Sequence, residues 1–270
     1  MPRMSEGAAR SLTVRSLDVL AAFSPERPTL SLSEVARSAD LSLTTAHRIV
    51  SDLATWGALE RGPDGRWHVG LRLWEVASLA PRALPMRERA LPAMEALYEA
   101  THENVQLAVR EGTEVVWIER LSGPRSVRVM TRVAGRWALP STGVGLVLLA
   151  HAPSEVQEEV LARRLKAWCA HTVTDPVRLR AMLAEVRRTG VAVSDRQVTD
   201  DAVSVAAPVR DGDEVVAAVS LVMRADGPLT VAAVTPAVRA MGLAVSRALG
   251  GEAGRGSRRR RPAGRPAQNG

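Results

Sequence analysis

The stretch Leu30–Gly70, LSLSEVARSADLSLTTAHRIVSDLATWGALERGPDGRWHVG, sets the reading of the whole chain. Ser31 and Glu34 have the spacing at which a hydroxyl and a carboxylate cap one helix start, and Leu30 and Val35 are placed to close a hydrophobic staple across it. A helix is therefore expected from Leu32, burying Val35, Ala36 and Ala39 and stopping near Asp40. Leu41 plugs the turn, and Ser42 caps a second helix, Leu43 to about Trp56. Within it Ala46, Ile49, Val50 and Leu53 recur at the spacing of one buried face. The other face keeps Thr44, Thr45, His47, Arg48 and Ser51. Small hydroxyls near a helix start approach phosphates and base edges closely, and Arg48 supplies a fork for guanine or phosphate. Gly57 ends the helix, Ala58–Arg61 reads as a strand, Gly62-Pro63-Asp64-Gly65 as a tight turn and Arg66–Val69 as the returning strand. Two capped helices followed at once by a hairpin define a winged helix-turn-helix. Its second helix is suited to the major groove of double-stranded DNA, and the wing carries Arg61 and Arg66 where a backbone or minor groove passes.

Upstream, Leu12–Phe23 reads as the module's first helix, with Val14, Leu17, Leu20 and Ala21 as its apolar stripe and Arg15 and Ser16 exposed for backbone contact. Charge plays no part in this assignment, because residues 1–70 hold eight Arg against eight Asp plus Glu. The module is expected to span residues 10–70, with a linker helix in 71–85. There Leu71, Trp74, Val76, Ala77 and Leu79 are too many apolar residues for one face, which predicts packing on the wing, on a second subunit, or on both.

A chain of 270 residues that is 46% hydrophobic can build two cores without disulfides or metal. The single cysteine, Cys169, excludes an internal disulfide and a cysteine-based metal cluster; it reads as a core thiol on a helix. No metal and no cofactor are expected. The absence of an apolar run near 20 residues, and of a signal-peptide core, predicts a cytoplasmic, nucleoid-associated protein with no membrane partner. The +7 net charge is concentrated in residues 251–270, where six arginines face one glutamate; this tail is expected to be disordered, either inert or a counterion-releasing arm on DNA.

Residues 86–250 alternate. Arg87–Thr101 reads as a helix, and Asn104–Val109, Glu114–Arg120 and Arg125–Thr131 read as strands. Helices are expected at Thr142–His151, Ser154–Leu165 and Val177–Thr189, strands near Val191–Asp195, Val203–Val209 and Val215–Met223, and a last helix at Thr230–Leu249. Hairpin strands with helices inserted between them make an α+β domain on a mostly antiparallel sheet. After Leu139-Pro140, Ser141 or Thr142 can cap a helix that starts near Gly143. Its free N–H groups form a cradle for a carboxylate.

The runs Val14-Arg15-Ser16-Leu17-Asp18-Val19-Leu20, Leu41-Ser42-Leu43-Thr44-Thr45-Ala46-His47-Arg48 and Val69-Gly70-Leu71-Arg72-Leu73 resemble the DNA-binding half of the IclR family of bacterial transcriptional regulators. Leu139–Gly145 with Leu148-Leu149-Ala150, and Arg187–Asp195 with Val205–Val209, resemble its effector-binding half. The resemblance covers about residues 12–250 and implies a GAF-like C-terminal α/β effector-binding domain. It places Val105, Leu107, Met130, Asp195, Ser204 and Ser220 around the same small pocket as Ser141, Thr142 and Gly143. It also implies a homodimer or tetramer on a palindromic operator. Pro140–Leu146 lacks the lysine that the family carries there, and Asp200–Ser204 replaces a glycine-bearing stretch, so the ligand does not carry over.

Two rival classes find little support in the residues. Ser141, His151 and Asp195 could form a hydrolase triad on paper, but no Gly-x-Ser-x-Gly elbow surrounds a serine, and the five histidines lack metal spacing. An architectural DNA-coating protein using the basic tail has no need of a large domain beyond the wing. The expected function is a repressor-type, ligand-responsive transcriptional regulator, not an enzyme, that binds a small carboxylate-bearing molecule.

Overall fold

The computed structural model describes residues 10–80 and 82–250, which divide after Ala80 into two compact units. The basic tail lies outside the described residues.

In the first unit α1 (Leu12–Ala21), β1 (Thr29–Leu30), α2 (Leu32–Ser38), α3 (Leu43–Trp56), β2 (Leu59–Arg61), β3 (Trp67–Val69) and α4 (Leu71–Ala77) follow in order. The capping box forms: the Ser31 hydroxyl accepts from the Glu34 amide at 3.3 Å and the Glu34 carboxylate accepts from the Ser31 amide at 2.7 Å. Ser42 accepts from the Thr45 amide at the start of α3, and Gly57, left-handed at φ 88°, stops it. Leu30 and Val35 close over this helix pair, and with Val19, Ile49, Val50 and Leu59 they make the unit's core. The wing gains a strand that the sequence did not announce, since Thr29 and Leu30 pair antiparallel with His68 and Trp67.

The first helix is rotated from its expected facing. Val19 and Ala22 are buried, Leu20 and Phe23 pack against them, and Leu17 is 59% exposed. Arg15 and Ser16 are therefore half-buried, not exposed: the Ser16 hydroxyl donates to Leu12 O, and the Arg15 Nε is sealed from water with no partner among the described residues. A row at i, i+4, i+7 (Arg15, Val19, Ala22) replaces the Leu17 row, which is tolerable because one solvent-facing leucine costs little.

The second unit runs α5 (Leu84–Thr101), β4 (Asn104–Glu111), β5 (Glu114–Leu121), β6 (Arg136–Ala138), a 3-10 turn at Leu139–Ser141, α6 (Gly143–Ala150), α7 (Ser154–Ala162), α8 (Pro176–Thr189), β7 (Ala192–Asp195), β8 (Ala202–Asp211), β9 (Glu214–Arg224) and α9 (Val231–Gly250). Its six strands lie in the order β6-β5-β4-β9-β8-β7, all antiparallel. One sheet face packs α5 and α9 through Met94, Leu107, Leu221 and Val238; the other packs α6, α7 and α8 through Trp117, Leu146, Leu149 and Leu183. The sheet is thus covered on both sides. Every residue of α6 is buried, as befits a helix that is apolar all round.

Arg125–Thr131 is not a strand; residues 122–135 form an irregular loop, and the pairing with β5 is made by β6 instead. Cys169 sits in a turn, not a helix, with its thiol donating to Arg196 O at 2.9 Å. No helix among the described residues is long and apolar enough to cross a membrane.

Candidate functional site

Two sites emerge, one in each unit. On α3 the side chains of Ala46, Ile49 and Val50 face the core, leaving Thr44, His47 and Arg48 exposed and Ser51 half-buried. Ser42 and Thr45 belong to the cap: Thr45 offers its amide to the Ser42 oxygen, and the Ser42 hydroxyl donates to Thr45 Oγ1 at 2.9 Å. The positive end of the helix dipole and a free guanidinium thus share one surface.

The two wing arginines differ. Arg61 donates Nε to Gly65 O at 3.1 Å and lies over the Trp67 ring at 5.7 Å, which rigidifies the turn. Arg66 points back into the unit. It donates to Thr29 Oγ1 and O and meets the Glu34 carboxylate at 2.7 Å, so it ties wing to capping box and is occupied as a strut. The Ser31 amide above all, then the Ser31 hydroxyl and Arg66, hold the Glu34 carboxyl below its ordinary value.

In the second unit a small cavity of about 50 Å³ opens beside the start of α6. Gln106 of β4, Ser194 of β7, Ser204 of β8 and Val222 of β9 form its sheet side, with Thr142 and Val144 at the helix start. Residues 128–131 and 197–199 close the rim. Its lining mixes valines with a few hydroxyl and amide side chains, the composition of a small-ligand site. Thr142 caps α6 by accepting from the Gly145 amide at 3.1 Å. Gly143 allows the helix start to sit this close to the sheet: a Cβ there would come 2.3 Å from Ser204 Oγ and 3.2 Å from Ala206 Cβ.

Of the residues expected around a pocket, Met130, Thr142 and Ser204 line this cavity, and Gly143 borders it. Ser220 pairs with Gln106 and Ala206, and its Oγ, on a residue 1% exposed, has no partner among the described residues. Val105 and Leu107 face the opposite layer, in the α5–α9 core. Asp195 projects away to pair with Arg196, and its neighbour Ser194 takes the inward place, donating to Ser141 O at 3.0 Å. Ser141 lies behind α6, in a separate groove with Trp137 and Trp168. Sequence reasoning missed Gln106, Arg128 and Gln197. Gln106 was findable, as the one polar side chain in the run Val105-Gln106-Leu107-Ala108-Val109.

The paper triad is not assembled by hydrogen bonds: His151 meets Val147 O at 3.0 Å, while Ser141 and Asp195 serve the contacts just given. Burial holds the His151 imidazole below its ordinary value.

A winged helix-turn-helix on the same chain as a cavity-bearing α/β sandwich defines a ligand-responsive transcriptional regulator. The chain belongs to the IclR family of bacterial transcriptional regulators: the family's C-terminal model matches residues 80–247 and its helix-turn-helix model residues 13–63. Among relatives, the HTH-type transcriptional regulator BhcR of Paracoccus denitrificans is 31% identical over 207 residues, covering 76% of this chain and 74% of its own. KipR of Bacillus subtilis is 30% identical, covering 76% and 82%. An IclR homologue from Microbacterium hydrocarbonoxydans, solved in complex with 4-hydroxybenzoate, superposes with a TM-score of 0.85 at 38% identity, covering 88% of this chain and 99% of that one. Its overall α+β, winged-helix-plus-sandwich plan is that of the present chain.

Proposed function

We propose that α3 reads base edges of a palindromic operator through Thr44, His47 and Arg48, with Ser51 on the same flank, Arg61 of the wing on the backbone, and Ser42 and Thr45 holding the helix start. The single observation that carries this reading is the α3 surface itself, where an exposed guanidinium and threonine stand beside a capped helix start. In the second unit, the effector is a small carboxylate-bearing molecule of the hydroxybenzoate kind, bound between Thr142, Ser204 and the rim. Support comes from the cavity's mixed apolar and polar lining and from the ligand of the Microbacterium homologue.

The regulator works as a homodimer or tetramer in the cytoplasm, as a repressor and not an enzyme. Half-sites one helical turn apart demand two DNA-binding units. Leu71, at 64% exposure, Trp74 at 58% and Leu79 at 79% supply apolar surface for a second copy. Relatives that share about a quarter of their residues include the transcriptional repressor IclR of Escherichia coli. Footprinting the DNA upstream of the protein's own gene, with and without 4-hydroxybenzoate, tests this. A dyad-symmetric footprint that weakens with the acid is expected; protection of any duplex without register would replace it with an architectural role.

A further inference from the structure

Among the cavity's lining residues, one side chain is charged: Arg128, in the loop that replaces the expected strand. Arg128 is exposed and makes no hydrogen bond or ion pair with any described residue. Its backbone, by contrast, is fixed on either side. Asn104, 1% exposed, donates Nδ2 to Val127 O at 2.8 Å, and Gln106, 3% exposed, donates Nε2 to Thr131 Oγ1 at 2.9 Å. These amides stand two residues apart on β4 and so share one sheet face. Gln106 is oriented in turn by the Trp117 indole, which donates to its Oε1 at 2.9 Å, and Arg120 donates to Thr131 O at 2.8 Å. Residues 128–130 therefore form a short strap, pinned by buried side chains at Val127 and Thr131, that carries Arg128 at the cavity's edge.

We propose that Arg128 is the residue that makes this cavity selective for monocarboxylates. A carboxylate taken out of water needs a compensating partner, and the two parallel N–H donors of an arginine fork match its two oxygens. The remaining rim and floor are neutral, including Val129, Val144 and Val222, and they suit an apolar body. A second carboxylate would meet no counter-charge there, and a neutral amide would forgo the charged pair. The inference rests on the reading of this cavity as the effector site.

Calorimetry on the full-length protein tests it, with benzoate, 4-hydroxybenzoate and terephthalate set against benzamide and 4-hydroxybenzamide. The wild type binds the monocarboxylates at least about tenfold more tightly than their amides or the dicarboxylate. Arg128→Gln weakens monocarboxylate binding about 10- to 100-fold and leaves amide binding unchanged, and Arg128→Lys restores part of the loss. Equal affinity of the wild type and Arg128→Gln for the monocarboxylates overturns the proposal, as does a wild type that binds acids and amides alike or binds none of the five. A footprint that persists in those cases keeps the regulator reading while Arg128 is dismissed from it.

Discussion

Arg48 and Arg66 show how little a residue type says until its partners are known. Both lie in the DNA-binding unit, yet Arg66 spends its donors on Thr29 and Glu34, while Arg48 is exposed on α3. Arg48→Ala is therefore expected to cost about 1–3 kcal/mol of operator affinity with the melting temperature unchanged. A gel-shift titration with wild-type affinity would remove Arg48 from the readout. The Glu34 carboxylate, held by the Ser31 amide first and by Arg66 after it, predicts a pH dependence instead. Glu34 titrates below 4.5 in the folded chain, so the stability it contributes is present above 4.5 and lost as pH falls through the lowered folded value. Glu34→Gln should narrow its stability deficit against the wild type as pH drops from neutral through that range. A deficit independent of pH, read from thermal melts, would mean that the charge contributes nothing. The caps at Ser31 and Ser42 were legible because capping chemistry is local; the inward turn of Arg66 was not, since it depends on Thr29, 37 residues away.

At the scale of elements, legibility followed the number of faces in water. α2 and α3 each keep one wet face, so their periodicity was plain. β4 is covered on both sides, with Asn104 to Val109 all buried, so its burial gives no wet face to read, and only the polar Asn104 and Gln106 mark one layer. The family resemblance places Val105 and Leu107 at the pocket, whereas the strand's alternation turns them into the α5–α9 layer and Gln106 to the cavity. The alternating valines of Arg125–Thr131 imitated a strand, but the polar groups at Val127 and Thr131 are taken by Asn104, Gln106 and Arg120. A three-residue β6 carries too little pattern to be seen. The close approach of α6 to β8 yields the next expectation: Thr142→Val or Ser204→Leu abolishes the melting shift induced by 4-hydroxybenzoate, while operator binding persists. A retained shift in both variants would move the ligand to another cavity.

For the whole molecule, the account joins two sites through one equilibrium. Neither the exposed face of α3 nor the cavity beside α6 makes a switch alone; the regulation we propose requires that occupancy of one change the affinity of the other. The order of elements along the chain shows a DNA-binding module followed by a cavity-bearing domain, and the subunit contact we propose draws on the exposed Leu71, Trp74 and Leu79. Thermodynamic linkage makes the coupling measurable from either end. The most direct measurement is a reciprocal titration of one protein preparation at fixed salt, with operator affinity measured with and without saturating 4-hydroxybenzoate, and 4-hydroxybenzoate affinity measured with and without saturating operator. The account predicts the same factor in both directions, about 5- to 150-fold, with each ligand weakening the other. Tight binding of both ligands with a factor of one would show two independent sites and contradict it.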